Sequence, residues 1–182
     1  YYFGPNAFPV PEMLDGTTRH DLRIELTGNH FYGFKKDHTT DITLRLNVPL
    51  FTDRVNLTVW MPVIEWYNNT DARLQECRLA SLAETEPKVR KGSTSGDVYI
   101  STDIHVVRQK KYVPDIAVRA AMKTASGSKY YYARYYDSPG YFFDATVAKS
   151  WALGATKAHD LRVAGSAGFL CWQTDNGRQN DA

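Results

Sequence analysis

Apolar and polar residues alternate at a period of two through segment after segment of this chain, which limits it to strands with one apolar and one wet face. From Asp97 to Val106 the even positions are Val98, Ile100, Thr102, Ile104 and Val106, and the odd ones are Asp97, Tyr99, Ser101, Asp103 and His105. Ile116, Val118, Ala120 and Met122 then alternate with Asp115, Ala117, Arg119, Ala121 and Lys123. The polar link Gln109 to Pro114 between the two suits a hairpin. A meander of this kind either hides its apolar face inside a sandwich or turns it outward into lipid as a barrel.

Seven strand signals follow one another: Leu22 to Leu26, Ile42 to Val48, Val55 to Ile64, Val98 to Val107, Ile116 to Met122, Tyr141 to Trp151 and Leu161 to Trp172. The fold class predicted is all-β, an antiparallel up-and-down meander, with a transmembrane β-barrel favoured over a sandwich. Residues 1–20, rich in Pro and Gly near their start, read as an extended lead-in, 21–174 as one barrel domain and 175–182 as a turn-rich tail. Asp71 to Glu84 is the one candidate helix, ended by Pro87. Short turns, such as Pro49 to Arg54, alternate with long links at 67–96 and 124–140, as in outer-membrane barrels. Seven is an odd count, so the expectation is that a strand is missed or the barrel is incomplete in this chain.

Composition removes several function classes. The 22 basic and 20 acidic residues are interleaved, so no basic stripe points to nucleic acid. Only Cys77 and Cys171 occur, outside any metal-ligand spacing, which leaves one disulfide open and no zinc site. No run approaches the roughly 20 apolar residues of a spanning helix, whereas barrel strands need only about 9–11. The opening Tyr1-Tyr2-Phe3-Gly4-Pro5, without Met, suits an exported, processed chain or an excised fragment.

Three stretches carry a resemblance: Gly96 to Ile104, Pro114 to Gly127, and Asp137 to Asp144. Their layout is a strand opening on Gly-Asp, a hairpin strand running into a Lys-x-x-x-Gly turn, and a strand entered through a Gly- and Asp-containing loop. Over residues 40–172 the chain resembles bacterial outer-membrane β-barrels of the meta-pathway phenol-degradation or porin-like transporter kind, in the style of the Bacteroidota. The resemblance implies an outer-membrane location, with the lipid bilayer and other envelope proteins as partners and a small solute of unspecified chemistry as cargo.

In a closed barrel the recurring polar-face charges Arg23, Glu25, Asp41, Arg45, Asp97, Asp103, Asp115, Arg119, Lys123 and Asp144 point into the lumen. Trp60, Trp66, Tyr112, Tyr141, Phe143 and Trp151 are placed at the membrane interfaces, where aromatic rings gather. Lys149 breaks an apolar face near a strand end, where it can snorkel.

Ser101, Asp103 and His105 share one face and form the sharpest catalytic constellation, lipase-like in its residue types. Their spacing of about 7 Å is marginal for a relay, the plainer reading is a wetted polar face, and no catalytic residue is assigned. Asp175, Asn176 and Asp181 lack calcium-loop order, the histidines show no ligand pairing, and neither metal nor cofactor is expected. The alternative reading is a secreted or periplasmic β-sandwich that recognises glycan or protein through Tyr130 to Tyr132, Tyr135 and Tyr136. A structural barrel subunit of an envelope assembly is a third.

Overall fold

The computed structural model describes residues 12–128, 133, 139–153, 159–173 and 179–181. The strands are β1 (Arg23–Tyr32), β2 (His38–Pro49), β3 (Val55–Asn68), β4 (Lys91–Thr94), β5 (Tyr99–Val107), β6 (Asp115–Lys123), β7 (Gly140–Leu153), β8 (His159–Gln173) and β9 (Gln179–Asp181). All pair antiparallel in one sheet ordered β1-β2-β3-β5-β6-β7-β8-β9, and β4 pairs with the far end of β3. Seven of these strands sweep through 218°, so the wall is a half-barrel.

A strand is present at all seven segments, and all but β5 run longer than the apolar residues marked. β1 continues through Gly28, Asn29 and His30 because its whole length pairs with β2, from Arg23 opposite Asn47 to Tyr32 opposite His38. β4 and β9 escaped the sequence reading because they are too short to show a period. Part of the 175–182 tail is therefore strand: Gln179–Asp181 pairs with the end of β8.

Two register shifts bend the wall, one between β2 and β3 at Ile42/Thr43 and one between β5 and β6 at His105/Val107. Pro62 explains the first. It has no N–H for a ladder, and it sits where β3 leaves β5, after Trp60, and before it joins β4, at Glu65. Its carbonyl accepts instead from the Gly96 N–H at 2.9 Å. A Cβ on Gly96 would come within 2.6 Å of the proline ring, so only glycine fits.

The connections divide by end. Turns 50–54 and 108–114 lie at one end of the wall, and the 69–98 excursion lies at the other. Within that excursion the candidate helix is two: α1 (Asp71–Glu76), capped by the Thr70 hydroxyl, and α2 (Ala80–Thr85). Arg78, at φ 58°, breaks them apart. Pro87 opens a short 3-10 turn to Val89. Leu74, Leu79, Ala83 and Val89 pack here with Tyr67 and Ala133, forming a small apolar core over one end of the wall.

Candidate functional site

Strand parity places the sequence-picked charges together on one face. Register sets Glu25 opposite Arg45, Asn29 opposite Asp41, Asp103 opposite Arg119, and Arg119 opposite Asp144. This face is the concave one. Arg45 on β2 and Arg119 on β6 lie three strands apart in the sheet, yet both reach Glu12, which a flat sheet at about 4.8 Å per strand would not permit so easily.

The concave face is buried and the convex face is bare, an inversion of the usual order. Asp41 and Glu65 are 0% exposed, whereas Ile24 and Leu26 on the other face are each 71% exposed. Leu44, Ile104, Met122, Phe143, Val147, Leu161, Val163 and Phe169 continue the uncovered apolar surface, and no second sheet lies over it among the described residues.

Buried charge is tolerable only when paired and hydrogen-bonded, and the trough meets this with three clusters. Near the capped end, Lys123 is paired with Asp97, both almost wholly buried, and the other oxygen of Asp97 accepts from the Ser126 and Gly127 amides at 2.9 and 2.7 Å. At mid-wall, Arg119 donates from Nε to Asp144 Oδ2 at 2.8 Å and lies 5.0 Å from the centre of the Phe142 ring. Toward the short-turn end, Asp115 accepts from the Gln109 amide at 2.7 Å and from Arg162 at 2.9 Å, and its Oδ1 lies 2.9 Å from His105 Nε2. Arg23 and Glu25 form a more exposed pair at 2.6 Å.

A segment ahead of β1 lies within this trough. Arg45 bonds the Glu12 carboxylate at 3.1 Å, Arg119 the Glu12 carbonyl at 2.7 Å, and Arg162 the Asp15 carbonyl at 2.8 Å. Gly16, at φ +88°, passes so close to Ala148 that an added Cβ would approach it to 2.7 Å. Residues 12–18 thus form a strap inside the wall. Sequence reasoning missed it, along with the roles of Arg162 and Glu65. Arg162 was signalled by its polar position between Leu161 and Val163, but nothing local marked Glu12.

The aromatic residues divide. Trp66, Tyr141 and Phe143 lie exposed on the convex face toward the capped end, and Trp151 toward the other, while Tyr112 projects from the 108–114 connection. Trp60 is a correction. It shares the parity of Asn56 and Thr58, faces inward, and stacks on Tyr99 with ring centres 3.8 Å apart. Lys149, on the convex side, reaches the rim and donates to the carbonyls of Lys110, Lys111 and Val113 at 2.6 to 3.1 Å.

Ser101, Asp103 and His105 do not assemble into a relay, because His105 turns to Asp115 on the next strand. The tyrosines at 130–132 and 135–136, Asp175 and Asn176 lie outside the described residues. Cys77 and Cys171 are not joined to each other, and burial pushes the Cys77 thiol up from its ordinary value. Compared with protein-family models, curated proteins and solved structures, the chain matches none.

Proposed function

We propose that this chain forms wall of an outer-membrane type β-barrel, crossing the bilayer with its strands and passing or excluding small solutes without catalysing a reaction. The observation that carries the reading is the inverted polarity: charges buried in the concavity, aliphatic and aromatic side chains bare on the outside. In water such a convex face would be an aggregation liability far larger than ordinary exposed patches. In hydrocarbon it is the favoured surface. Aromatic residues toward both ends and Lys149 turned to the rim suit the two interfaces. The placement of long connections at one end and shorter turns at the other also suits a barrel.

A soluble sandwich needs apolar faces packed on one another, and the convex face has no such cover among the described residues. The test is extraction of the full chain from membranes with and without detergent, followed by electrophoresis before and after boiling. Detergent-dependent extraction and a band that shifts on boiling support the barrel. Free solubility with no shift overturns it and sends the work to glycan-binding assays.

A further inference from the structure

One row across the trough is not balanced. Asn56 on β3 lies opposite Asp103 on β5, Asp103 opposite Arg119 on β6, and Arg119 opposite Asp144 on β7. Cross-strand neighbours on one face have Cβ atoms about 4.5–5.5 Å apart, and concave curvature draws their tips closer. Within this row Asn56 Oδ1, Asp103 Oδ1 and Asp144 Oδ1 are buried and have no hydrogen-bond partner among the described residues. Asn56 is 2% exposed and Asp103 7%. Three acceptor oxygens on three strands of one row therefore lack a donor, with Arg119 standing between Asp103 and Asp144.

The charges show the same deficit. Arg119 is committed to Asp144 Oδ2 and to the Glu12 carbonyl, and Arg45 to the Glu12 carboxylate. Two buried carboxylates, Asp103 and Asp144, thus share the one guanidinium of Arg119, and burial pushes the Asp103 carboxyl up from its ordinary value. A buried carboxylate without its full complement of donors costs more than almost any other defect a native protein carries. One positive charge beside Asp103 removes both deficits at once.

We propose that Asn56, Asp103 and Asp144 form a subsite for a small singly charged cation, bound through these three oxygens, which is either an alkali metal ion or the ammonium group of a solute. Hard oxygen donors suit an alkali ion, and an ammonium can donate one hydrogen to each of three acceptors. Among the described residues no group of three His, Cys, Asp or Glu side chains could hold a metal, and this site offers two carboxylates and one amide. It stands on strand register and burial alone and goes beyond the membrane reading. In a pore, it makes Asp103 the residue that favours cations.

The experiment is thermal unfolding of the full chain, followed by tryptophan fluorescence, in choline, sodium, potassium and methylammonium chloride at equal concentration. Choline matches the ionic strength but is too bulky for a gap between neighbouring strands. The expected result is a Tm about 2–4 °C higher in at least one of the small cations than in choline, and no such difference in Asp103→Asn. A rise with sodium or potassium alone assigns the site to an inorganic ion, and a rise with methylammonium assigns it to ammonium-bearing solutes. Equal Tm in all four salts, or an undiminished difference in Asp103→Asn, overturns the proposal. Should that variant not fold, Asn56→Ala takes its place, and an unchanged cation response there has the same meaning. Detergent dependence and the boiling shift report on the barrel separately, so either reading can fail while the other stands.

Discussion

The wall and the cap of this protein obey opposite rules of burial. In the cap, Leu74 and Val89 are sealed from solvent beside Leu79 and Ala83, while Arg73, Glu76 and Lys88 lie outside the apolar cluster, as in any water-soluble domain. In the wall, Lys123, Asp97 and Arg119 are inside and Ile24, Leu26 and Phe143 are outside. One chain holds both conventions a few residues apart: Tyr67 belongs to the cap core, and the adjacent Trp66 to the bare convex face. The difference teaches that the inversion belongs to the wall and not to overall composition, since the same sequence builds an ordinary core where it leaves the wall.

That contrast can be broken in graded steps. The largest effect is expected from Lys123→Ala, which leaves Asp97 buried with amide donors but no counter-charge. A loss of about 3–5 kcal/mol, read by denaturant unfolding, is expected, and a loss under 1 kcal/mol would mean that the wall interior is wet. Leu74→Ala attacks the cap alone and should cost it about 2–5 kcal/mol. Proteolysis should then open at residues 69–98 while β5 to β8 keep their hydrogen-exchange protection, and loss of protection throughout would mean that cap and wall are one cooperative unit.

Val118→Arg tests the convex face. About 2–4 kcal/mol should be lost in a bilayer and almost nothing in aqueous buffer, so equal cost in both media would remove the contrast between wall and cap. The smallest effect belongs to the exposed pair of Asp53 and Arg108, where the guanidinium's hydrogen bond holds the Asp53 carboxyl below its ordinary value. A depressed carboxylate contributes above the ordinary range and loses that contribution as pH falls through its lowered value. The Tm gap between wild type and Arg108→Ala should therefore close on acidification, and also with added salt. A gap that persists in acid would assign Arg108 another role.

Much of the wall was legible because its alternation is a local property. Asp103 and Arg119 could be placed on the polar face from their own neighbours, and so in retrospect could Trp60, whose parity matches Asn56 and Thr58. What could not be read depends on partners far along the chain. His105 meets Asp115 through a hairpin and a register shift, Pro62 has its carbonyl met by Gly96, 34 residues on, and the trough's link to Glu12 leaves no trace in residues 12–20. Arg78 broke the candidate helix through a single left-handed backbone angle that the ragged apolar stripe of Leu74, Cys77 and Ala80 did not foretell.

The strap also sets an order of assembly. Its bond from Asp15 to Arg162 joins residues 147 positions apart, and that from Glu12 to Arg119 joins residues 107 apart. Arg45 on β2 is the strap's nearest holder in the chain, and Arg162 on β8 comes only after seven other strands. Contacts of such long sequence separation form late and slowly. The last cluster of the trough to be satisfied is thus the one at Arg162.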